Sequence, residues 1–323
     1  MLLNVIRHPV VSRLLGAIAT LFGVAVIVFI MLRLVPGDQI TANLGTEAAG
    51  LTDAQRAALT EYYGLDRPPV EQFFAWLGSV LTGNLGYSGR AEVSVLELTA
   101  QSLPITFQLG VFAIALSLLI GIPLGMFAAQ RPNGVSDNLG QGASLLGLSI
   151  PAFLLGTVLL TVASYQFGFN PNGQSFIGIF DDPWLNLQQM LLPALTLAVG
   201  IAPPIIRTTR TAVLEVRSLD FIRTAKAKGV GPERLRWRHI LRNAMVPIAT
   251  MTGMQFGYLL GGAIVVEQIF SIPGIGRQVL LGIQQHEYAL VQSTVLVIAL
   301  AFVIVNLLTD ALYRVIDPRV RLS

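Results

Sequence analysis

Residues 218–248 read SLDFIRTAKAKGVGPERLRWRHILRNAMVPI, a polar and basic stretch between two apolar segments. The apolar segments are Met190–Ile206 and Ala244–Val266, and each is long enough to be a candidate membrane span. Ten of the 21 Lys and Arg residues of the chain lie between Arg207 and Arg242. Placing such residues in a bilayer is costly, so this stretch is predicted to stay outside the membrane and to fix the topology around it.

Local chemistry predicts two short helices in this stretch. Ser218 or Asp220 can cap a helix that continues to Lys228, because each side chain can accept the free N–H groups of a first helical turn. Gly229 suits the left-handed position after a helix, and Pro232 suits the first position of the next one. The two helices are expected to meet at a sharp angle and to project from the membrane, in a form that suits docking to a cytoplasmic partner.

The composition of the whole chain indicates a membrane protein. Its 323 residues are 53% apolar and 12% charged, with a mean hydropathy of +0.67. A soluble domain has about 25% charged residues, so lipid must solvate much of this surface. The chain has no cysteine, which excludes disulfides, Cys-based metal sites and Cys nucleophiles.

Six stretches are long and apolar enough to cross a membrane, which needs about 20 such residues. The first is too long for the apolar core of a signal peptide and is interpreted as retained. The fold class predicted is an all-α integral membrane protein with six transmembrane helices. The predicted spans are Leu14–Val35, Leu103–Ala129, Leu139–Phe167, Met190–Ile206, Ala244–Val266 and Leu290–Val315.

The orientation follows from the basic residues. With six spans, sixteen Lys and Arg residues lie on the side of the termini and five on the other side. The positive-inside rule therefore predicts that both termini are cytoplasmic. The chain is interpreted as one transmembrane domain, 1–323, which includes an extracytoplasmic loop at 36–102 and a cytoplasmic coupling loop at 207–246.

The acidic outer region 36–102 is predicted to contain two helices. Thr52 is a candidate cap for a helix from Asp53 to Tyr63 that ends at Gly64. Pro68 and Pro69 can open a second helix, one face of which is expected to lie on the membrane surface or against the bundle. That face comprises Val70, Phe73, Phe74 and Leu77. Two further outer loops are expected at Gly168–Gln189 and Glu267–Tyr288.

Several residues inside the spans have more than one interpretation. Gly253, Gly257 and Gly261 recur every fourth residue, which favours close helix packing with a partner subunit or within the chain. Asp310 and Arg314 are expected to form an ion pair, with a proton relay as the alternative. Polar side chains could line a pathway or make packing hydrogen bonds, and Glu267 could also meet a binding protein or lie on a plain surface. These pathway candidates are Gln108, Gln255, Tyr258 and Glu267.

Four stretches resemble the peptide-permease branch of ATP-binding-cassette (ABC) importers. The sequence Arg223-Thr224-Ala225-Lys226-Ala227-Lys228-Gly229, with Arg238-His239 and Asn243-Ala244 after it, is similar to the family's EAA loop, which carries the coupling helix. Arg223-Thr224-Ala225 stands where the name describes Glu-Ala-Ala, and this departure also looks like the peptide branch. The other similar stretches are Thr60–Ser88, Leu191–Gly200, and Phe270–Val297 together with Asp317–Leu322.

The resemblance implies a type I ABC importer permease, a B-type subunit in a bacterial inner membrane. It implies as partners a second homologous permease, two ATP-binding subunits and an extracytoplasmic substrate-binding protein. This chain has no G-x-x-x-x-G-K-[ST] loop, so ATP and Mg would be bound by the partners, and no cofactor or enzyme activity is expected of it. The residues expected to couple ATPase motion to transport are Arg223, Thr224, Ala225, Lys226, Ala227, Lys228, Gly229, Pro232, Glu233 and Leu235.

Peptides are the substrate expected from the family, with nickel complexes, glutathione and opines as alternatives. An ion-coupled secondary transporter would need ionisable groups or repeats within the spans, and Asp310 is the one acid found there. A purely structural scaffold is a further alternative. No metal site is expected, because the three histidines lie in distant segments, and the basic stretch is attributed to topology and docking rather than to nucleic acid.

Overall fold

The computed structural model describes residues 9–34, 50–62 and 65–316, without the side chains of 9, 10, 62, 258, 260 and 310–316. The described residues are mostly helical. The helices are α1 (Pro9–Leu34), α2 (Asp53–Tyr62), α3 (Pro69–Leu81), α4 (Val95–Ala128), α5 (Val135–Ser149), α6 (Ala152–Phe167), α7 (Pro183–Ser218), α8 (Asp220–Ala227), α9 (Pro232–Arg234), α10 (Arg242–Ile269), α11 (Ile275–Gln284) and α12 (Tyr288–Ile316). The shorter elements are an antiparallel pair, β1 (Tyr87–Ser88) and β2 (Val93–Ser94), a 3₁₀ turn at Pro171–Gly173 and a π-helix at Leu235–Leu241.

Four helices are long and apolar enough to cross a membrane, namely α1, α4, α7 and α12. Two bent helix pairs meet the same test together. One is α5 with α6, and the other is formed by Pro232–Gly257 and Gly261–Ile269, which meet at 63° within α10. The described residues thus hold four to six candidate spans. The count of six and the cytoplasmic position of the termini remain predictions.

Two predicted spans differ from the helices observed. The third, Leu139–Phe167, is divided at Ile150 and Pro151, where α5 and α6 form an angle of 94°. Proline lacks an N–H group and disfavours a helical residue before it, which explains the break. The fourth, Met190–Ile206, is the middle of a helix of 36 residues.

The extension of the fourth span has a local cause. Asp182 accepts hydrogen bonds from the N–H groups of Trp184 and Leu185, and Pro183 occupies the first helical turn. The predicted outer loop Gly168–Gln189 was therefore wrong in its second part, because the loop ends at Asp182. Pro203 and Pro204 lie inside α7, which continues without interruption through both.

The described residues form two compact units, which are treated separately below. The first unit contains residues up to 105 and residues 273–304. Its core joins α1 to α3, where Phe73 packs edge-on against Phe29 with the ring centroids 5.1 Å apart. Of the predicted outer face, Phe73 and Leu77 face this core, whereas Val70 and Phe74 are exposed.

The predicted helices of the outer region are confirmed in large part. Thr52 and Gln55 form a reciprocal capping box at the start of α2, with the N–H of Gln55 donating to Oγ1 of Thr52. The start of α3 at Pro69 agrees with the prediction. The predicted end of α2 at Gly64 lies outside the described residues.

A buried carboxylate holds the β-hairpin of the first unit. Glu287 accepts hydrogen bonds from Oγ of Ser88, at 2.7 Å, and from the N–H of Arg90, at 3.0 Å. Ser293 donates to the carbonyl of Leu85 at 2.7 Å. The hairpin is thus tied to the start of α12.

The second unit, residues 106–272 and 305–316, is built around α7. This helix packs against α4, α5, α6 and α10. Its contact with α4 is very close, since a methyl group added at Gly121 would lie 2.7 Å from Cγ2 of Ile205. A methyl group added at Gly125 would lie 2.5 Å from Cβ of Thr209 and 2.6 Å from the carbonyl oxygen of Ile206. Only glycine allows the two helix backbones to approach in this way.

An ion pair joins α5 to α7. The carboxylate of Asp137 has no exposed surface and accepts two hydrogen bonds from Arg210, at 2.6 Å to Nε and 2.5 Å to Nη2. It also accepts from the N–H of Asn133 and from Nε2 of Gln141. The guanidinium and the carboxylate meet in the two-pronged geometry that favours arginine over lysine.

Candidate coupling surface

The polar stretch identified in the sequence forms a compact elbow, residues 219–241, between α7 and α10. Its first helix, α8, ends in a Schellman motif. Gly229 has φ +76°, its N–H donates to the carbonyl of Lys226, and the N–H of Val230 donates to that of Ala225. The prediction of a left-handed glycine at this position is confirmed.

The predicted cap of α8 was wrong. The N-cap residue is Leu219, and no side chain caps the helix. Oγ of Ser218 instead donates to the carbonyl of Glu215, in the last turn of α7. Asp220 is the first helical residue, where a carboxylate still complements the helix dipole.

The second half of the elbow leads directly into α10. Pro232 begins a single α-helical turn, as predicted, and the backbone then continues as a π-helix from Leu235 to Leu241. The second helix is thus not a separate element, because no break separates it from the apolar helix that follows. Continuous helical backbone therefore connects the elbow to α10.

Three buried apolar residues anchor the elbow. Ile222 of α8 is fully buried, and Leu235 and Ile240 of the π-helix are nearly so. Both segments contact the end of α7, where Val213 and Val216 are also buried. Leu235, predicted as a coupling residue, therefore anchors the elbow and does not face outward.

The outer surface of the elbow is basic and aromatic. Apart from Leu235 and the half-buried Ala225, all the residues predicted for coupling are exposed. Sequence reasoning missed Phe221 and Trp237, which are 43% and 53% exposed. Nε1 of Trp237 donates to Glu233 at 3.1 Å, and Arg236 pairs with the same carboxylate at 2.9 Å. Aromatic residues surrounded by charge are typical of protein interfaces.

Two cavities flank the elbow. One, of about 510 Å³, is open and is lined by Phe221, Arg238, His239, Arg242 and Asn243. The other, of about 330 Å³, lies between the elbow and the ends of α4 and α7 and contains four cationic side chains. Those four are Arg131, Arg217, Lys226 and Arg236. Arg217 also donates to the carbonyl of Ala129, which joins the ends of α4 and α7.

The polar residues predicted for a pathway are partly bonded within the bundle. Nε2 of Gln108 donates to Oδ1 of Asn186, and Thr106 donates to Oε1 of Glu267 at 2.5 Å. Glu267 is fully buried, so it presents no surface to a partner in this conformation. Gln255 is half-buried. The side chain of Tyr258 lies outside the described residues, as do those of Asp310 and Arg314.

The predicted glycine stripe of α10 differs from the glycines of α4. Gly257 is buried, whereas Gly261 is exposed, and a methyl group added at Gly261 would meet no described atom within 4 Å. The close packing described for Gly121 and Gly125 was missed. Its signal, two glycines four residues apart in GIPLG, is present in the sequence.

Among the described residues no group of three or more His, Asp or Glu side chains could hold a metal ion. The geometry is that of an apolar helical bundle with an anchored basic projection.

Comparison with known proteins decides the family. The family described as "Binding-protein-dependent transport system inner membrane component" matches residues 121–322, and its N-terminal companion matches residues 6–110. The chain belongs to this permease family. As a member it is a multi-pass bacterial inner-membrane subunit of an ABC transporter, with no ATPase site of its own, that works with ATPase and substrate-binding partners.

Relatives of this permease align over almost the whole chain. A glutathione transport system permease protein, GsiC, of Salmonella typhimurium is 40% identical over 97% of this chain and 98% of its own length. GsiC of Pectobacterium atrosepticum is 38% identical, over 96% and 98%. A probable peptide ABC transporter permease protein, y4tP, of Sinorhizobium fredii is 37% identical, over 97% and 98%.

A solved structure confirms the fold of the permease. An inward-facing MetNI methionine ABC transporter covers 69% of this chain and 97% of its own, with a TM-score of 0.54 and 16% identity. At this identity the similarity concerns the fold alone. The predicted type I importer permease fold is confirmed.

Proposed function

We propose that this permease forms half of the translocation pathway of an ATP-driven peptide importer, with a second homologous permease forming the other half. Two ATP-binding subunits would bind beneath the pair, and an extracytoplasmic binding protein would deliver the substrate. The observation that carries the proposal is the elbow, residues 219–241. It is anchored on its inner side by Ile222 and Leu235 and exposes a basic, aromatic outer surface for an ATPase to bind.

In this proposal the elbow is the coupling element. Closure of an ATP-bound dimer displaces a docked elbow, and the continuous backbone from Pro232 through the π-helix passes the displacement to α10. The contact residues we propose are the exposed members of the predicted coupling set, from Arg223 to Glu233, with Phe221 and Trp237 added. Substrate delivery and ATP binding then favour the same conformational change from opposite sides.

Of the stripe Gly253, Gly257 and Gly261, the exposed Gly261 is proposed to contact the second permease, and the buried Gly257 to pack within the chain. The open space beside Gly261 supports a partner helix there, because no described side chain of this chain occupies it. The pathway residues proposed are Gln255 and Tyr258, together with Gln108 and Glu267 if their packing bonds open during transport. The single domain 1–323, its outer loop 36–102 and its coupling loop 207–246 stay part of the proposal.

The substrate class proposed is short peptides, supported by the relative named as a probable peptide permease. Glutathione is the second candidate, because several relatives carry it in their names. It is itself a short peptide, so one pathway can serve both. Uptake into proteoliposomes that contain the whole transporter and its binding protein, with labelled dipeptide and labelled glutathione in competition, distinguishes the two.

Cross-linking tests the docking directly. The chain has no cysteine, so Lys228→Cys gives a single thiol on the elbow without further changes. A thiol-anchored photo-cross-linker at this site is expected to capture the ATPase subunit. The matched control is Asn138→Cys, which is also exposed but lies outside the elbow. If the two sites capture ATPase equally, or neither does, the proposed docking is wrong.

A further inference from the structure

A polar cavity of about 330 Å³ lies within the first unit. It is bounded by the end of α1, by α3 and by the start of α12. Two arginines, Arg33 and Arg67, are among its lining residues. Among the described lining residues none is acidic, and the two charged ones are both cationic.

Arg33 is held in place by neutral groups. Its guanidinium lies 3.5 Å from the centroid of the Phe29 ring, and its Nη2 donates to Oε1 of Gln72. Gln72 in turn donates through Nε2 to the carbonyl of Arg67 at 2.8 Å. This network orients the arginine without neutralising it, which leaves other N–H groups of the fork for an anion.

Trp76 adds an unused donor to the same cavity. Its side chain lines the wall, and its Nε1 is buried without a hydrogen-bond partner among the described residues. An indole N–H can only donate, and leaving it unpaired in a buried position is unfavourable. A ligand that brings an oxygen acceptor would remove this deficit.

The part of α1 that contributes Phe29 and Arg33 to the cavity also carries exposed apolar residues. Residues of α1 just before and after Arg33 are strongly exposed, with Ile30 at 51%, Met31 at 59% and Leu34 at 72%. Because α1 qualifies as a membrane span, acyl chains can cover this face. A ligand with an anionic head and apolar tails satisfies both surfaces, whereas a free anion or a peptide carboxylate satisfies only the cavity.

We propose that this cavity binds the phosphate of an anionic phospholipid. Arg33 and Arg67 supply the charge, Trp76 supplies a hydrogen bond, and the acyl chains lie along the exposed face of α1. Arg33 lies in the last turn of the apolar helix α1, and basic residues and tryptophan are residue types found where spans meet lipid headgroups. The bound lipid would join the outer helix α3 to α1 at a site that takes no part in the coupling surface.

Lipid titration of the complete transporter tests the site. The complex is purified in detergent, stripped of lipid and titrated with phosphatidylglycerol, and native mass spectrometry counts the bound lipids. Arg33→Gln, Arg67→Gln and Trp76→Phe are each expected to weaken one tightly bound lipid, by roughly tenfold for an arginine, the effect of losing a charge-assisted hydrogen bond. The matched control is Arg90→Gln, in the same unit but outside the cavity lining, which should retain the lipid.

Further arms identify the source of the phosphate. Phosphatidylcholine, which has no net charge, is expected to bind more weakly than phosphatidylglycerol. Displacement of the lipid by millimolar inorganic phosphate, or by the substrate-binding protein, would overturn the proposal in favour of a small-anion or protein site. Equal lipid binding by the parent and all three variants would also overturn it. If Arg33→Gln fails to assemble, Arg67→Gln, which changes an exposed residue, and Trp76→Phe decide the question. No transport is measured, so the outcome is independent of the proposed function.

Discussion

The contact of α4 and α5 with α7 can be compared with the surface formed by the elbow and α10. In the first region the residues pack against each other within the chain. Gly121 and Gly125 allow α4 to lie close to α7, and the Asp137 carboxylate accepts hydrogen bonds from Arg210. In the second region no described atom would lie within 4 Å of a methyl group added at Gly261, and Trp237 is exposed. The difference separates residues that fold this chain from residues available to bind other chains. Mutations in the first region should therefore lower the amount of folded protein, whereas mutations in the second should spare it.

The largest effect is expected for Gly125→Leu. A side chain there meets Cβ of Thr209 and the backbone of Ile206 within 2.6 Å, so the helices must separate. Overpacking of this kind typically costs about 1–3 kcal/mol or more. Size-exclusion chromatography of a fluorescent fusion should show little folded protein. Gly142→Leu is the matched control, because a methyl group at Gly142 meets nothing within 4 Å and should be tolerated. Equal yields of folded protein from Gly125→Leu and Gly142→Leu would contradict close packing of α4 against α7 at Gly125.

The next effect is expected for Asp137→Ala. The change leaves Arg210 without its acidic partner and removes an acceptor of the Asn133 N–H. The melting temperature of the purified protein should fall clearly. Asp137→Ala combined with Arg210→Ala should lose less than the sum of the single changes, because the two side chains interact. If the melting-temperature losses of the two single variants added up in the double variant, the Asp137–Arg210 interaction would contribute nothing to stability.

An intermediate effect, confined to coupling, is expected for Gly229→Val. A branched side chain at φ +76° is strained by about 1–2 kcal/mol, so the end of α8 must rearrange. Membrane insertion should be intact, whereas substrate-stimulated ATPase activity should be abolished. Gly231→Ala is the matched control, because Gly231 has φ −61° and open space around it. Full coupling in Gly229→Val would refute the role assigned to the elbow.

A smaller effect is expected for Trp237→Ala. This residue is exposed, so folding should be unchanged, but a docked ATPase would lose an aromatic contact. The affinity for the ATPase should fall roughly tenfold, the loss typical of an aromatic hot spot. Trp184→Ala, which removes an exposed tryptophan outside the elbow, should leave the affinity unchanged. If Trp184→Ala lowered the affinity for the ATPase more than Trp237→Ala did, the docking surface would not be on the elbow.

The smallest effect is expected for Gly261→Ala. One added methyl group meets no described atom of this chain, so any loss must arise against a partner. Co-purification with the second permease should fall slightly, with unchanged folding. Gly262→Ala, one position off the stripe, should have no such effect. An equal response of both variants would argue against a partner helix on the stripe.

Features that depend on neighbouring residues could be predicted from the sequence. The turn at Gly229, the start at Pro232 and the capping box at Thr52 each depend on a few adjacent positions, and the apolar spans depend only on composition. The extension of α7 also had a local signal, Asp182 followed by Pro183, that was overlooked. The Ser218 cap failed because the hydroxyl group could equally bond backwards to Glu215.

Features that depend on distant residues could not be predicted. Asp137 and Arg210 are 73 positions apart, and no local pattern indicates their pairing. The exposure of Trp237 depends on how the π-helix packs against α7, and no short motif specifies a π-helix. The fold class could thus be predicted nearly completely. For the candidate coupling surface, the sequence predicted the turn at Gly229, the helix start at Pro232 and the basic charge, but not the exposed aromatic residues.

The π-helix Leu235–Leu241 has a geometric consequence for the orientation of the elbow. Its hydrogen bonds span one residue more than those of an α-helix. A π turn carries one residue more than an α turn through nearly the same rotation, so removing one residue and returning to α geometry would leave the orientation of the elbow nearly unchanged. The π geometry therefore lets this segment hold one residue more than an α-helix without changing the direction in which the elbow faces.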